Sequence, residues 1–139
     1  MKLYYTIWVD CILRAKSQPQ NKNNWRFFTM LFMSMSMALN LWFISFILML
    51  HLNFSLSIYP FKIDLFPATR IDAFVSFFLS YLLPPLLFNY FLIFHKNKYQ
   101  ELIKIYPYYE GRLFLKYFLG SLGIIAIYFS LAFLVVKVF

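Results

Sequence analysis

Charge is scarce in this chain. Asp, Glu, Lys and Arg together make up 13% of its 139 residues, where a soluble domain has about 25%. A water-soluble fold of this length could not cover a core drawn from 63% apolar residues. Cysteine occurs once, at Cys11, which excludes an internal disulfide and a cysteine zinc cluster and leaves the redox compartment unread. No Ser/His/Asp set, metal-ligand cluster, glycine-rich phosphate loop or close acid pair stands out. The expectation is a protein without a catalytic centre, a metal or a cofactor.

Long apolar runs take the place of charge. They cover 27–50, 71–94 and 117–136, about half the chain, and Asp72 is the one charged residue within them. Each has about the 20 residues that a helix needs to cross a ~30 Å hydrocarbon layer. The predicted fold class is an all-α integral membrane protein with three transmembrane helices in a single domain. Phe (19) and Tyr (11) are abundant, as suits a lipid-facing and interfacial protein.

The net charge of +8 does not call for nucleic acid, because most of the basic residues flank the runs. Lys2, Arg14, Lys16, Lys22 and Arg26 precede the first, Lys62 and Arg70 follow it, Lys96, Lys98, Lys104, Arg112 and Lys116 lie between the second and third, and Lys137 alone follows the third. The alternation of five, two, five and one places the N-terminus and second loop in the cytoplasm, and the first loop and C-terminus opposite. Ten basic residues on an anionic leaflet, at about 1 kcal/mol each, favour the same orientation. Arg14, Lys16, Lys96, Lys98 and Arg112 are the candidate contacts to anionic lipid. The wealth of Phe, Tyr, Ile, Asn and Lys suggests an AT-rich genome, and the expected location is a bacterial inner membrane.

Two shorter helices are predicted outside the spans. Residues 1–17 carry Lys2, Thr6, Asp10 and Arg14 on one narrow stripe. The segment either lies in the interface or packs against the spans; it has no cleavage pattern. Ser17–Asn24 is a polar linker and Trp25 an interfacial marker. In 97–106, Tyr99, Leu102, Ile103 and Tyr106 share a face opposite Lys98, Glu101 and Lys104, with Asn97 as N-cap and Pro107 past the end. The aromatic, proline-containing first loop is expected along the outer interface.

Polar and breaking residues inside the spans are the candidates for function. Pro84 and Pro85 remove two consecutive helix donors near the middle of span two, which predicts a bend of more than 20°. Such a break lines substrate sites in some transporters; a plain kink satisfied by Ser76, Ser80 or a neighbouring span is the simpler reading. Asn40 and Ser36 suit interhelical packing, while Asn89, nearer the cytoplasmic end, is expected to reach headgroups. Gly120, Gly123, Ala126 and Ser130 cluster on one face of span three and would admit a close helix. Thr69 and Asp72 have the spacing of a capping box. His51 and His95 fall on opposite membrane faces, the methionines of span one suit packing, and Asn53-Phe-Ser55 has the glycosylation spacing without a secretory context.

The leading functional expectation is a non-catalytic accessory or scaffold subunit, contacting membrane lipids and a larger membrane protein partner. An oligomeric transporter or channel is the second reading. A membrane-embedded enzyme acting on lipid or glycan is the third.

Overall fold

The structure is a computed structural model that describes residues 2–21, 23–52, 59–64 and 69–138, with the backbone alone at Leu52, Thr69 and 135–138. Among these residues there are helices and turns and no strand. Three helical stretches are long and apolar enough to cross a membrane: Trp25–His51, Arg70–Ile105 and Arg112–Leu134. The Thr69 side chain of the expected capping box and the Asn53–Ser55 motif lie outside the described residues.

The chain forms two compact units, Met1–Thr29 with Tyr99–Phe139, and Met30–Lys98. In the first, α1 (Lys2–Ser17) packs against α6 (Arg112–Val138). Trp8, Val9, Asp10, Cys11, Ile12 and Ala15 of α1 are buried. Of the two readings of this segment, packing is the one the contacts favour, and Asp10 on the polar stripe points inward. A 3-10 turn, Pro19–Asn21, follows. α2 (Trp25–Leu52) starts where the Asn24 carbonyl accepts the Phe28 N–H at 3.1 Å, and Asn is among the favoured N-cap residues. It runs 28 residues because neither glycine nor proline interrupts its hydrogen-bond ladder.

In the second unit the middle apolar run is not one uniform helix. It divides into α3 (Thr69–Phe77), a π-helical turn (Phe78–Leu82), α4 (Leu83–Asn89), a second π turn (Tyr90–Phe94) and a 3-10 turn (His95–Asn97). Pro84 and Pro85 explain the first π turn. With no N–H at either position, the ladder widens just before them, and the Leu83 N–H reaches back five residues to the Phe78 carbonyl. The helix therefore absorbs the prolines as a change of helical register.

Past the second π turn the chain breaks. Lys96 and Asn97 take left-handed φ values of 53° and 58°. Asn97 is therefore a hinge, a conformation asparagine tolerates, and lacks the extended backbone of the N-cap the sequence suggested. α5 (Lys98–Ile105) follows.

The second unit is knitted by Ala38, Tyr81 and Leu82, with Met35, Trp42, Tyr59, Phe77, Phe78 and Leu86 packed around them. Part of the first loop lies along this helix. The Phe61 N–H donates to Ser80 Oγ at 3.1 Å and the Ile63 N–H to Ser76 Oγ at 2.9 Å. Two extended residues rise about 6.6 Å and one helical turn of four residues about 6 Å, so the two ladders match. Ser76 and Ser80, expected to serve the proline break, accept hydrogen bonds from the loop instead.

Candidate functional site

A cavity forms beside the proline break. Pro84, Pro85 and Phe88 of α4 and Met37 and Leu41 of α2 line a groove of about 310 Å³. Pro85 and Asn89 are one helical turn apart and both buried, so the face that turns from solvent carries both. The Asn89 Nδ2 donates to Ser34 Oγ at 2.9 Å and contacts Met37 Sδ at 3.4 Å. Asn89 and Ser34 are fully buried. Asn89 thus joins α4 to α2, and Met37 links this polar node to the groove.

Asn89 therefore does not reach outward to headgroups, as its position near the end of the run suggested. A buried amide finds a hydroxyl across the helix pair because leaving it unsatisfied away from water is costly. The sequence reading placed this linking role on Asn40 and Ser36. Asn40 is half-buried, and Ser36 Oγ donates to the Phe32 carbonyl of its own helix at 3.1 Å. Ser34 was missed; its signal was a second hydroxyl, two residues before Ser36, in an otherwise apolar run.

The groove has no chemistry of its own. Its five lining side chains are apolar and offer neither a nucleophile nor a proton carrier. Among the described residues no three of His, Cys, Asp or Glu come together as a metal site. What this arrangement can do is accept an apolar chain or side chain.

A second constellation was not anticipated. Asp10 is fully buried and its carboxylate accepts four backbone hydrogen bonds. Oδ1 takes the N–H groups of Tyr109 and Gly111, both at 2.8 Å. Oδ2 takes those of Leu113 at 3.0 Å and Phe114 at 3.1 Å. The last two donors belong to the first turn of α6, whose N–H groups have no partner within the helix. The carboxylate thus caps α6 from α1, where the helix dipole also favours negative charge. Glu110 (φ 56°) and Gly111 (φ 77°) turn the backbone toward it. The sequence shows the acid and the later glycine, but nothing in their spacing joins them.

Among the basic candidates, Arg14 is tied into the same turn. Its Nη1 donates to the Glu110 carbonyl at 2.9 Å, and its side chain lies against Gly111. Arg112 pairs with Glu110 at 2.9 Å, but both side chains are more than 70% exposed, so the pair is worth at most about 1 kcal/mol. Lys96 and Lys98 are exposed beside the hinge. Lys16 stands over the Trp25 ring, 4.3 Å from its centroid.

The small-residue candidates fall on α6. A Cβ added at Gly120 or Gly123 would meet no atom within 4 Å. Ala126 and Ser130 are exposed, and Ser130 Oγ donates to the Ala126 carbonyl at 2.8 Å. No family model, curated protein or solved structure matches this chain.

Proposed function

We propose that this chain is a multi-pass membrane protein and a non-catalytic accessory or scaffold subunit of a larger membrane complex. Its N-terminus and the segment between the second and third spans face the cytoplasm of a bacterial cell, in line with the distribution of basic residues. One observation carries the subunit reading. The apolar window of α6 is 6% buried, against 22% for that of α2, and its glycine face has open space where a side chain would project. Association within lipid depends on close packing, which small residues permit. The occupant that fits is an apolar helix of the larger partner.

The test is native purification in mild detergent, comparing the wild-type chain with Gly123→Leu, Ala126→Leu. Both changes keep or raise hydrophobicity, so insertion is retained. Loss of a stoichiometric larger partner from the variant is the expected result. An unchanged complex removes this docking face, and a monomer that turns over a lipid-linked substrate replaces the subunit reading with an enzyme. The groove at Pro84 and Pro85 supports one alternative, an oligomeric transporter of apolar cargo, for which the same purification yields a homo-oligomer.

A further inference from the structure

Lys16 and Arg26 crowd one pair of aromatic rings without an acid between them. Lys16 Nζ lies 4.3 Å from the centroid of Trp25 and 5.0 Å from that of Tyr99. The Arg26 guanidinium carbon lies 5.4 and 5.2 Å from the same two rings. The rings meet edge to face at 5.2 Å. Arg26 Nη2 donates to the Tyr99 hydroxyl at 2.9 Å, and Gln100 Nε2 contacts it at 3.3 Å. Tyr99 is 5% exposed, whereas both cations are exposed.

Neither cation has a carboxylate partner among the described residues, where the ion pair made is Arg112 to Glu110. The π faces attract each cation but do not cancel the repulsion between them. The partial negative charge at the end of α1 offsets Lys16 only in part. Arg26, in the first turn of α2, faces the positive end of its helix. The cluster is thus held in place by rings and hydrogen bonds while its charge is left uncompensated.

We propose that Lys16 and Arg26 bind the phosphate of one anionic phospholipid headgroup above the paired rings of Trp25 and Tyr99. Trp25 and Arg26 directly precede the apolar run that starts at Phe27, which is the depth of a headgroup once α2 crosses the bilayer. The Arg26 fork and the Lys16 ammonium supply donors to the phosphate oxygens, and indole and phenol rings suit the interface. The proposal rests on membrane insertion and is independent of the docking face on α6.

The full-length chain is purified from membranes and offered phosphatidylglycerol in excess phosphatidylcholine, and retained lipid is read by native mass spectrometry. One phosphatidylglycerol per chain is expected on the wild type. Retention should fall at least about tenfold in Lys16→Gln, Arg26→Gln, a loss of about 1.4 kcal/mol of binding free energy. It should persist in the charge-preserving Lys16→Arg, Arg26→Lys and in the control Lys104→Gln, Lys116→Gln. Tyr99→Phe, which removes the hydroxyl that orients Arg26, should weaken it. Equal loss in the control would mean diffuse attraction, and retention in the site variant would mean another site; either overturns the proposal. Displacement by soluble glycerophosphate would assign the cluster to a free phosphate compound and overturn the lipid assignment. Resistance to alkaline extraction, scored on every variant, separates failure of the site from failure of insertion.

Discussion

Asp10 is the residue on which the first unit turns. One carboxylate replaces water for four backbone donors at the start of α6, and hydrogen bonds to a charged group contribute about 1.5–3 kcal/mol each when they stand alone. Asp10→Asn keeps the shape but turns an NH2 toward two of those donors, and should destabilise the protein by about 2 kcal/mol or more. Asp10→Ala, which leaves all four unanswered, should cost about 3–5 kcal/mol. Denaturant unfolding in detergent micelles, followed by circular dichroism, measures both. Gly111→Ala tests the other side of the same contact. Its φ of 77° disfavours a side chain, and the added Cβ would run into Arg14 Cδ; a loss of about 1–3 kcal/mol is expected. Arg14→Ala in the same chain should recover the part due to the clash and leave the part due to φ.

Cys11, one residue on, is set by the same burial. Loss of solvent pushes its thiol up to about 12, and the neighbouring Asp10 carboxylate adds to the rise. The folded thiol therefore stays protonated where an unfolded one, near 9.0, begins to ionise. Its stabilising contribution is complete below the unfolded value and is lost as pH rises toward 12. Maleimide, which needs the thiolate, should leave Cys11 unmodified at neutral pH in the folded protein and modify it after denaturation. Rapid labelling of the native chain would show that α1 is not packed as described.

At the level of elements, the prolines and the first loop show what a sequence reading leaves open. Two missing donors are visible in Pro84 and Pro85; whether the helix bends, splits or widens depends on its neighbours. Here the register widens through Phe78–Leu82 and α4 resumes, held to α2 by Asn89. Replacing both prolines by alanine restores two N–H groups and should collapse the π turn, which rotates Ser76 and Ser80 relative to Asn89 by the angle of about one residue. Hydrogen exchange should then rise at Phe61 and Ile63, whose donors lose their serine acceptors. Unchanged protection at both amides would refute this coupling. The three long helices were legible because length and hydropathy decide them locally. The loop pairing was not, because it depends on which hydroxyls of a later helix fall beside it. Asn89 was misjudged for a related reason: its distance from the end of the run said headgroup, while its partner Ser34 lies 55 residues away.

For the whole molecule, the proposed orientation rests on thirteen basic residues and little else. Single cysteines introduced at Asn23 and Asn97 should react with an impermeant maleimide from the cytoplasmic side, and one at the exposed Lys62 from the other. Reaction of Asn97→Cys from the far side would replace three crossings by a run that folds back near the prolines. Cys11, being protonated and buried, leaves a silent background for this experiment. Composition and periodicity supplied the three long apolar helices, since length and hydropathy are properties of single helices. The Asp10 cap and the cluster of Lys16 and Arg26 on Tyr99 stayed hidden, since each joins residues far apart in the sequence.

That separation has a consequence for how the protein is made. Asp10 is synthesised 99 to 104 residues before the amides it binds. At about 5–20 residues per second, some 5–20 s pass between them. During that interval the Asp10 carboxylate lacks its four backbone donors, and Arg14, one helical turn on, is the counter-charge within reach on α1. α1, translated before α6, is therefore locked only once the turn that opens α6 has been made. A ribosome that stalls before Tyr109 leaves the acid without its four donors.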